Sequence, residues 1–333
     1  MAMVPMIGFM ELLIFMVSGV GLGIPLGVPP GPQDPYLFAI APDQCLYYTT
    51  WTGIAEPDAN SDNSVEQLMA EPEVQQFLVE AEKQIRVWMA QANGPGNAAV
   101  QLAPDIFKQL LRHPAAVFVE KVQPAPNGIT AEAALVLSLG DDADDFRDMV
   151  ATIEDLMGEV PTERVQIAGS PFLTTTIPQS GMSVTWGFKD SYFMLGVGDA
   201  TIQNMLERGS TPVPTWLEAL RDQELVDRPA TYTYADLKSV IAISAAAGGP
   251  EAENVIAALG LNAISKYTSV AGLDKEGFVS RTKVGLEGRA TGLLKILRTD
   301  GLVKSDIASI PHDSIVAAAA RFDASKVLDG WLE

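Results

Sequence analysis

SVTWGFKDSYFMLGVG, residues 183–198, decides how this chain folds. Aromatic and β-branched residues fill both arms, and the polar Lys189-Asp190-Ser191 joins them. That is the pattern of a tight antiparallel hairpin. The same reading extends outward. AAVFVEKV (115–122) and ITAEAALVLSL (129–139) form a second pair of strands around the turn-rich QPAPNG. NAISKYTSVAGL (262–273) and FVSRTKVGLEG (278–288) form a third around DKEG. In FVSRTKVGLEG, Phe278, Ser280, Thr282, Val284 and Leu286 alternate with Arg281 and Lys283, so one face is expected to be wet. Short strands are predicted around Val165, Leu173 and Val184, at Gln44–Gly53, and at ATYTYAD (230–236).

Helices are predicted between these pairs. Val74, Phe77, Leu78, Ala81, Ile85 and Trp88 recur at helical spacing after Pro72, and this stripe is expected to pack in a core. Ser64 with Gln67 reads as the capping box of the preceding turn. A second helix is predicted over 99–112, and a third over 140–160 with its acids in the first turn. A fourth is expected from Asp199 as N-cap to Gly209, followed by PTWLEALRDQEL and LKSVIAISAAA. The expected class is α+β, with mainly antiparallel sheets, helices inserted between hairpins and repeated modules. The repeat rests on APDQCLYYTTW (41–51), TYTYADLKSVI (231–241) and IPHDSIVAAAARFDASKVLDGW (310–331). The last of these reads as the start of a further, unfinished module.

The chain opens differently. Met3–Val28 holds thirteen Leu, Ile, Val or Phe residues and one charge, Glu11. At about −0.3 to −0.6 kcal/mol each, the apolar side chains favour insertion by roughly 4 to 8 kcal/mol. A central carboxylate costs about 2.5 to 3.5 kcal/mol, so lipid wins by a modest margin. No basic residue precedes Lys83, and no strong small-residue cleavage site follows. An uncleaved membrane anchor is therefore expected over 1–28, with Ile7, Phe9, Leu12, Leu13, Ile14, Phe15 and Val17 in lipid. A cleaved signal and a helix docked in a soluble core are the alternatives. A Pro/Gly-rich spacer over 29–40 comes next, then α+β modules over 41–210 and 211–309, with the further start over 310–333.

Charge narrows the function. Net charge is −20, and residues 1–160 carry 22 acidic against 6 basic side chains, which leaves −4 for the rest. Such a field repels phosphate, so nucleic acid is not an expected partner. Cys45 is the sole cysteine; no internal disulfide can form, and a buried thiol is expected. Asp141, Asp142, Asp144 and Asp145 are the densest carboxylate cluster and the candidate metal site, weighed against a helix start that they cap and complement. The two histidines, His113 and His312, each abut a proline and sit in no metal or catalytic motif, and Asp236 and Asp323 read as helix caps. Trp51, Trp186, Tyr47, Tyr48, Tyr232 and Tyr234 either line a groove for an apolar or glycan ligand or fill the sheet core. No catalytic residue and no cofactor is expected.

FKDSYFMLGVGDATIQNMLERG (188–209) with ATYTYADLKSVI (230–241) resembles a domain family of unknown function in bacterial extracytoplasmic proteins. FAIAPDQCLYYTTWTGIAEPDANSDNSVEQLMAEPEVQQF (38–77) resembles the start of large uncharacterised planctomycete-type membrane proteins. The resemblance implies an N-terminal anchor, repeated α+β modules and a longer full-length chain. The expected protein is thus membrane-tethered, extracytoplasmic (periplasmic side) and non-enzymatic, a binding or scaffold protein held to the membrane by its N-terminal helix. The alternatives are a carboxylate-based or metal-dependent hydrolase, and an interaction module with a protein partner in a larger envelope assembly.

Overall fold

A computed structural model describes residues 27–93, 98–125, 128–158, 160–178, 180–223, 226–275, 277–292, 294–297 and 303–308. In chain order the elements are α1 (Pro35–Ala39), β1 (Tyr47–Trp51), α2 (Ser64–Ala70), α3 (Pro72–Asn93), α4 (Ala98–Arg112), β2 (Ala115–Ala125) and β3 (Gly128–Ser138). There follow α5 (Ala143–Met157), β4 (Glu163–Ile167), β5 (Ser170–Thr176), β6 (Ser183–Lys189), β7 (Tyr192–Val197), α6 (Thr201–Arg208) and α7 (Thr215–Gln223). The remaining elements are β8 (Arg228–Ala235), α8 (Leu237–Leu259), β9 (Ile264–Leu273), β10 (Phe278–Leu286), α9 (Leu294–Leu297) and α10 (Lys304–Ile307). The class is α+β, built on one large antiparallel sheet.

The chain divides into two compact units, Met1–Ala235 with Thr268–Lys283, and Asp236–Tyr267 with Val284–Glu333. The ten-stranded sheet has the order β10-β9-β8-β1-β2-β3-β7-β6-β5-β4, and β1 to β8 belong wholly to the first unit. Tight turns explain its meander. Trp186 pairs Leu195 and Lys189 pairs Tyr192, so Asp190 and Ser191 make a two-residue turn, with Asp190 at φ 54°. Ala168 and Gly169, at φ 49° and 80°, turn β4 into β5 in the same way.

Alternation along the strands gives the sheet two apolar faces. On one, Tyr48, Phe118, Val136, Met194 and Tyr232 pack with Leu37 and Phe38 of α1, Ile202 and Met205 of α6, and Leu217 of α7. On the other, Trp51, Val117, Leu137, Trp186 and Phe193 pack with Ile106 and Leu110 of α4 and Phe146 and Val150 of α5. Each fully buried large side chain contributes roughly 1.5–3 kcal/mol of transfer free energy, so these two layers dominate the stability of the unit.

The second unit centres on α8. Asp236 caps it, accepting from the Ser239 backbone N–H at 3.0 Å and the Ser239 hydroxyl at 2.6 Å. Gly249 (φ 64°) and Pro250 break the helix, and Gly260 ends it in the left-handed region. Lys238 pairs with Glu287 at 2.6 Å.

Three expected caps move. Asn63, not Ser64, caps α2, accepting from the N–H groups of Val65 and Glu66, both at 3.0 Å. Its amide also donates to the carbonyls of Asp274 (2.5 Å) and Gly277 (3.1 Å), pinning the β9–β10 turn. Asp142 stands at the N-cap position of α5 without capping it. Ala200 holds that position in α6, because the Asp199 carboxylate accepts from the Ser183 hydroxyl at 2.6 Å.

Two expected surfaces also change. Of the expected stripe of α3, Phe77 is 70% exposed and Leu78 46%, while Val74 and Ala81 are half-buried; the side chains of Ile85 and Trp88 lie outside the described residues. Ion pairs tie this helix to α4, Arg86 with Asp105 at 2.6 Å and Lys108 with Glu82 at 3.3 Å. No side chain of β10 is buried, and exposed residues lie on both of its faces, while Val279 packs against the first core layer.

Candidate functional site

His113 ends the turn that follows α4, and the 3-10 turn Gly140–Asp142 precedes α5. The two meet at the end of the sheet. Asp142 Oδ2 lies 3.1 Å from His113 Nε2 and 3.8 Å from the Arg112 guanidinium. His113 is largely buried, and burial lowers its imidazole pKa. Asp142 opposes that shift and Arg112 adds to it. The neutral ring is therefore the folded form's preference. The unfolded chain binds a proton more readily, so this histidine makes stability rise with pH below its ordinary value of about 6.5. Urea unfolding from pH 5 to pH 7.5 is expected to show a steeper loss of stability on acidification for the natural protein than for His113→Gln. Equal slopes would exclude the role.

The four candidate carboxylates do not gather around one point. Asp144 is exposed and pairs with Arg147 one turn on, Asp142 turns to His113, and Asp141 and Asp145 face solvent. Among the described residues no group of three or more His, Cys, Asp or Glu could hold a metal ion.

Other polar groups, not predicted from sequence, are brought together over long separations. Tyr192 donates to Asp34 Oδ2 at 3.0 Å, and its ring lies 4.7 Å from that of Tyr36. Burial, reinforced by Asp34, pushes the Tyr192 phenol up to about 12. Tyr36 is also raised, by burial and by the negative charges of Asp190 and Asp34. Arg208 donates to Glu120 at 3.0 Å and to the Ile40 carbonyl at 3.1 Å, above the ring of Phe118. Glu66 is buried against Arg228 and accepts from the Ser61 hydroxyl at 2.6 Å. The Arg228 hydrogen bond holds its carboxyl below the usual range, against the opposing effect of burial.

Of the six candidate aromatics, Trp51, Trp186, Tyr48 and Tyr232 are buried, while Tyr47 and Tyr234 are half-buried. Tyr48 donates to the Leu37 carbonyl at 2.9 Å and Trp186 to Glu154 at 2.7 Å. These groups fill the sheet layers and tie helices to them. Cys45 is buried.

Residues Ile7, Phe9, Leu12, Leu13, Ile14, Phe15 and Val17 lie outside the described residues, as do His312, Asp323 and the segment 310–333. Among the described residues no helix is long and apolar enough to cross a membrane. Comparison with family models, with curated proteins and with solved structures finds no match for this chain.

Proposed function

We propose that this protein is a membrane-tethered, extracytoplasmic binding or scaffold protein that performs no chemistry of its own. The observation that carries this reading is the use made of the more buried ionisable groups. His113 with Asp142, Glu66 with Arg228, and Arg208 with Glu120 each join two separate elements of the first unit. Charges spent on such ties hold the fold together; an active site would draw them to one point where a substrate could lie. The apolar run Met3–Val28 and the likeness of 38–77 to planctomycete-type membrane proteins support the tether, as an N-terminal apolar helix. Modular repetition fits the strand order. β1, β2 and β3 run outward from the middle of the sheet on one side, and β8, β9 and β10 on the other. Each set is one strand, a helical insertion and a hairpin.

A second reading, an interaction module of a larger envelope assembly, is favoured by the apolar side chains that α3 leaves in water.

The test is topological. The full chain, tagged at its C-terminus and expressed in bacteria, is followed through spheroplast proteolysis and carbonate extraction. The tag is expected to be cleaved in spheroplasts while the untreated chain stays in the carbonate pellet. A tag protected until lysis, with the chain released by carbonate, would overturn the tethered, outward-facing proposal.

A further inference from the structure

The apolar run Met3–Val28 ends against a particular place in the first unit. Val28 belongs to a small buried cluster with Ala230 and Leu273, and Val65 and Met69 of α2 pack against that cluster. On the same short helix Leu68 is 52% exposed. Glu71 alone separates α2 from α3, and the Gln75 amide donates back to the Met69 carbonyl at 2.6 Å, which fixes the start of α3 on α2. Phe77 and Leu78, both exposed, follow Pro72 within two turns, roughly 9 Å of helix. Large apolar side chains thus stand in water around the point where the run Met3–Val28 meets the body.

The tether reading fixes how far lipid is from them. A spanning helix of roughly 20 residues that starts no earlier than Met3 ends no earlier than about residue 22, and the few extended residues left before Gly27 reach under roughly 20 Å. Leu68, Phe77 and Leu78 are therefore held beside the bilayer. So few apolar side chains bind a membrane weakly by themselves, but a tether makes the contact intramolecular and raises its effective concentration. Charge selects the headgroup. No Lys or Arg precedes Lys83, and Glu71, Glu73 and Glu80 are exposed beside the apolar residues, so an anionic surface would repel this face. The same acids would face one another if a second copy packed here. We infer that the α2–α3 junction is a membrane-contact face, in which Leu68, Phe77 and Leu78 enter the interface of a bilayer with neutral headgroups. The inference rests on the tether, and it gives to lipid the α3 side chains that the second reading gives to a protein.

The test uses the full chain reconstituted in phosphatidylcholine vesicles. Phe77→Cys carries a polarity-sensitive fluorophore, and Gln166→Cys, exposed on β4 at the other end of the strand order from β10, carries the same label as a control. Cys45 is buried, so the natural protein treated alike gives the background. Lipids with a nitroxide near the top of the acyl chain are expected to quench the label at position 77 at least about twofold, as suits side chains sunk to the headgroup boundary, and to leave the label at 166 unchanged. Leu68→Gln with Leu78→Gln, both at exposed positions, should reverse most of that quenching while the chain stays in the carbonate pellet. Equal, weak quenching at both labels in a chain that stays in the pellet would overturn the contact face and leave the tether standing. A blue-shifted label at 77 that lipid nitroxides do not quench would overturn it too, by assigning the face to protein, whether the N-terminal residues, a second copy or another partner. Quenching that grows when phosphatidylglycerol is added would overturn the neutral-headgroup assignment. Release of the chain by carbonate would instead overturn the tether, so the two failures are told apart.

Discussion

Replacing Trp51 with alanine is expected to remove about 4 kcal/mol or more of stability, enough to bring a typical domain close to unfolding. The side chain is 1% exposed and lies between the sheet and α4, beside Ile106 and Leu110. Its indole N–H donates to the Leu110 carbonyl at 2.7 Å. Truncation therefore opens a large cavity and also strands a buried carbonyl near the end of a helix. Trp51→Phe separates the two effects. It keeps most of the apolar volume, loses the hydrogen bond, and should cost about 1–3 kcal/mol. Urea unfolding followed by far-ultraviolet circular dichroism reads both. If the alanine and phenylalanine variants shift the midpoint equally, packing is not what this residue contributes.

Gly53→Ala is expected to be nearly as damaging, at about 3 kcal/mol or more, although it adds one methyl group. Gly53 adopts φ +75° at the end of β1. A Cβ there would overlap the Arg112 carbonyl oxygen and come within 2.8 Å of the His113 carbonyl carbon. Both obstacles are backbone, which cannot rotate away. The neighbouring bond from the Ile54 N–H to the Leu111 carbonyl at 3.1 Å depends on the same close approach. Gly169→Ala is the control. Gly169 has φ +80°, and a Cβ added to it would meet nothing within 4 Å, so only the conformational cost of about 1 kcal/mol applies. A similar midpoint shift for both variants would show that the left-handed backbone, not the contact with α4, decides the cost. Trp51 and Gly53 act at one joint, so their double variant should lose less than the two single losses added together.

The hairpins are legible in the sequence because their signal is local. Aromatic and branched runs flanking Lys189-Asp190-Ser191 specify β6 and β7 with no help from distant residues. The caps are less legible for the opposite reason. Asn63 and Ser64 are both capping types; the choice of Asn63 goes with carbonyls 211 and 214 residues further on, to which its amide donates. Asp142 and Asp199 look like caps from their neighbours alone, but His113 and Ser183 draw their carboxylates away. The periodicity of α3 correctly gives a helix, yet periodicity names an apolar face without naming what covers it. The polar ties, such as Asp34 to Tyr192 across 158 residues, leave no trace in spacing at all.

The central position of β1 has a consequence for synthesis. Thr49 and Thr233 share a hydrogen bond across the β1–β8 seam, and 184 residues separate them. At about 5–20 residues per second, a ribosome needs roughly 10–40 s to deliver the second half of that seam after the first. Throughout that interval Tyr47–Trp51 can be zipped on its β2 flank alone. The nascent polypeptide therefore waits with the heart of its future interior half-assembled, and it is in that window that a holding chaperone would matter most.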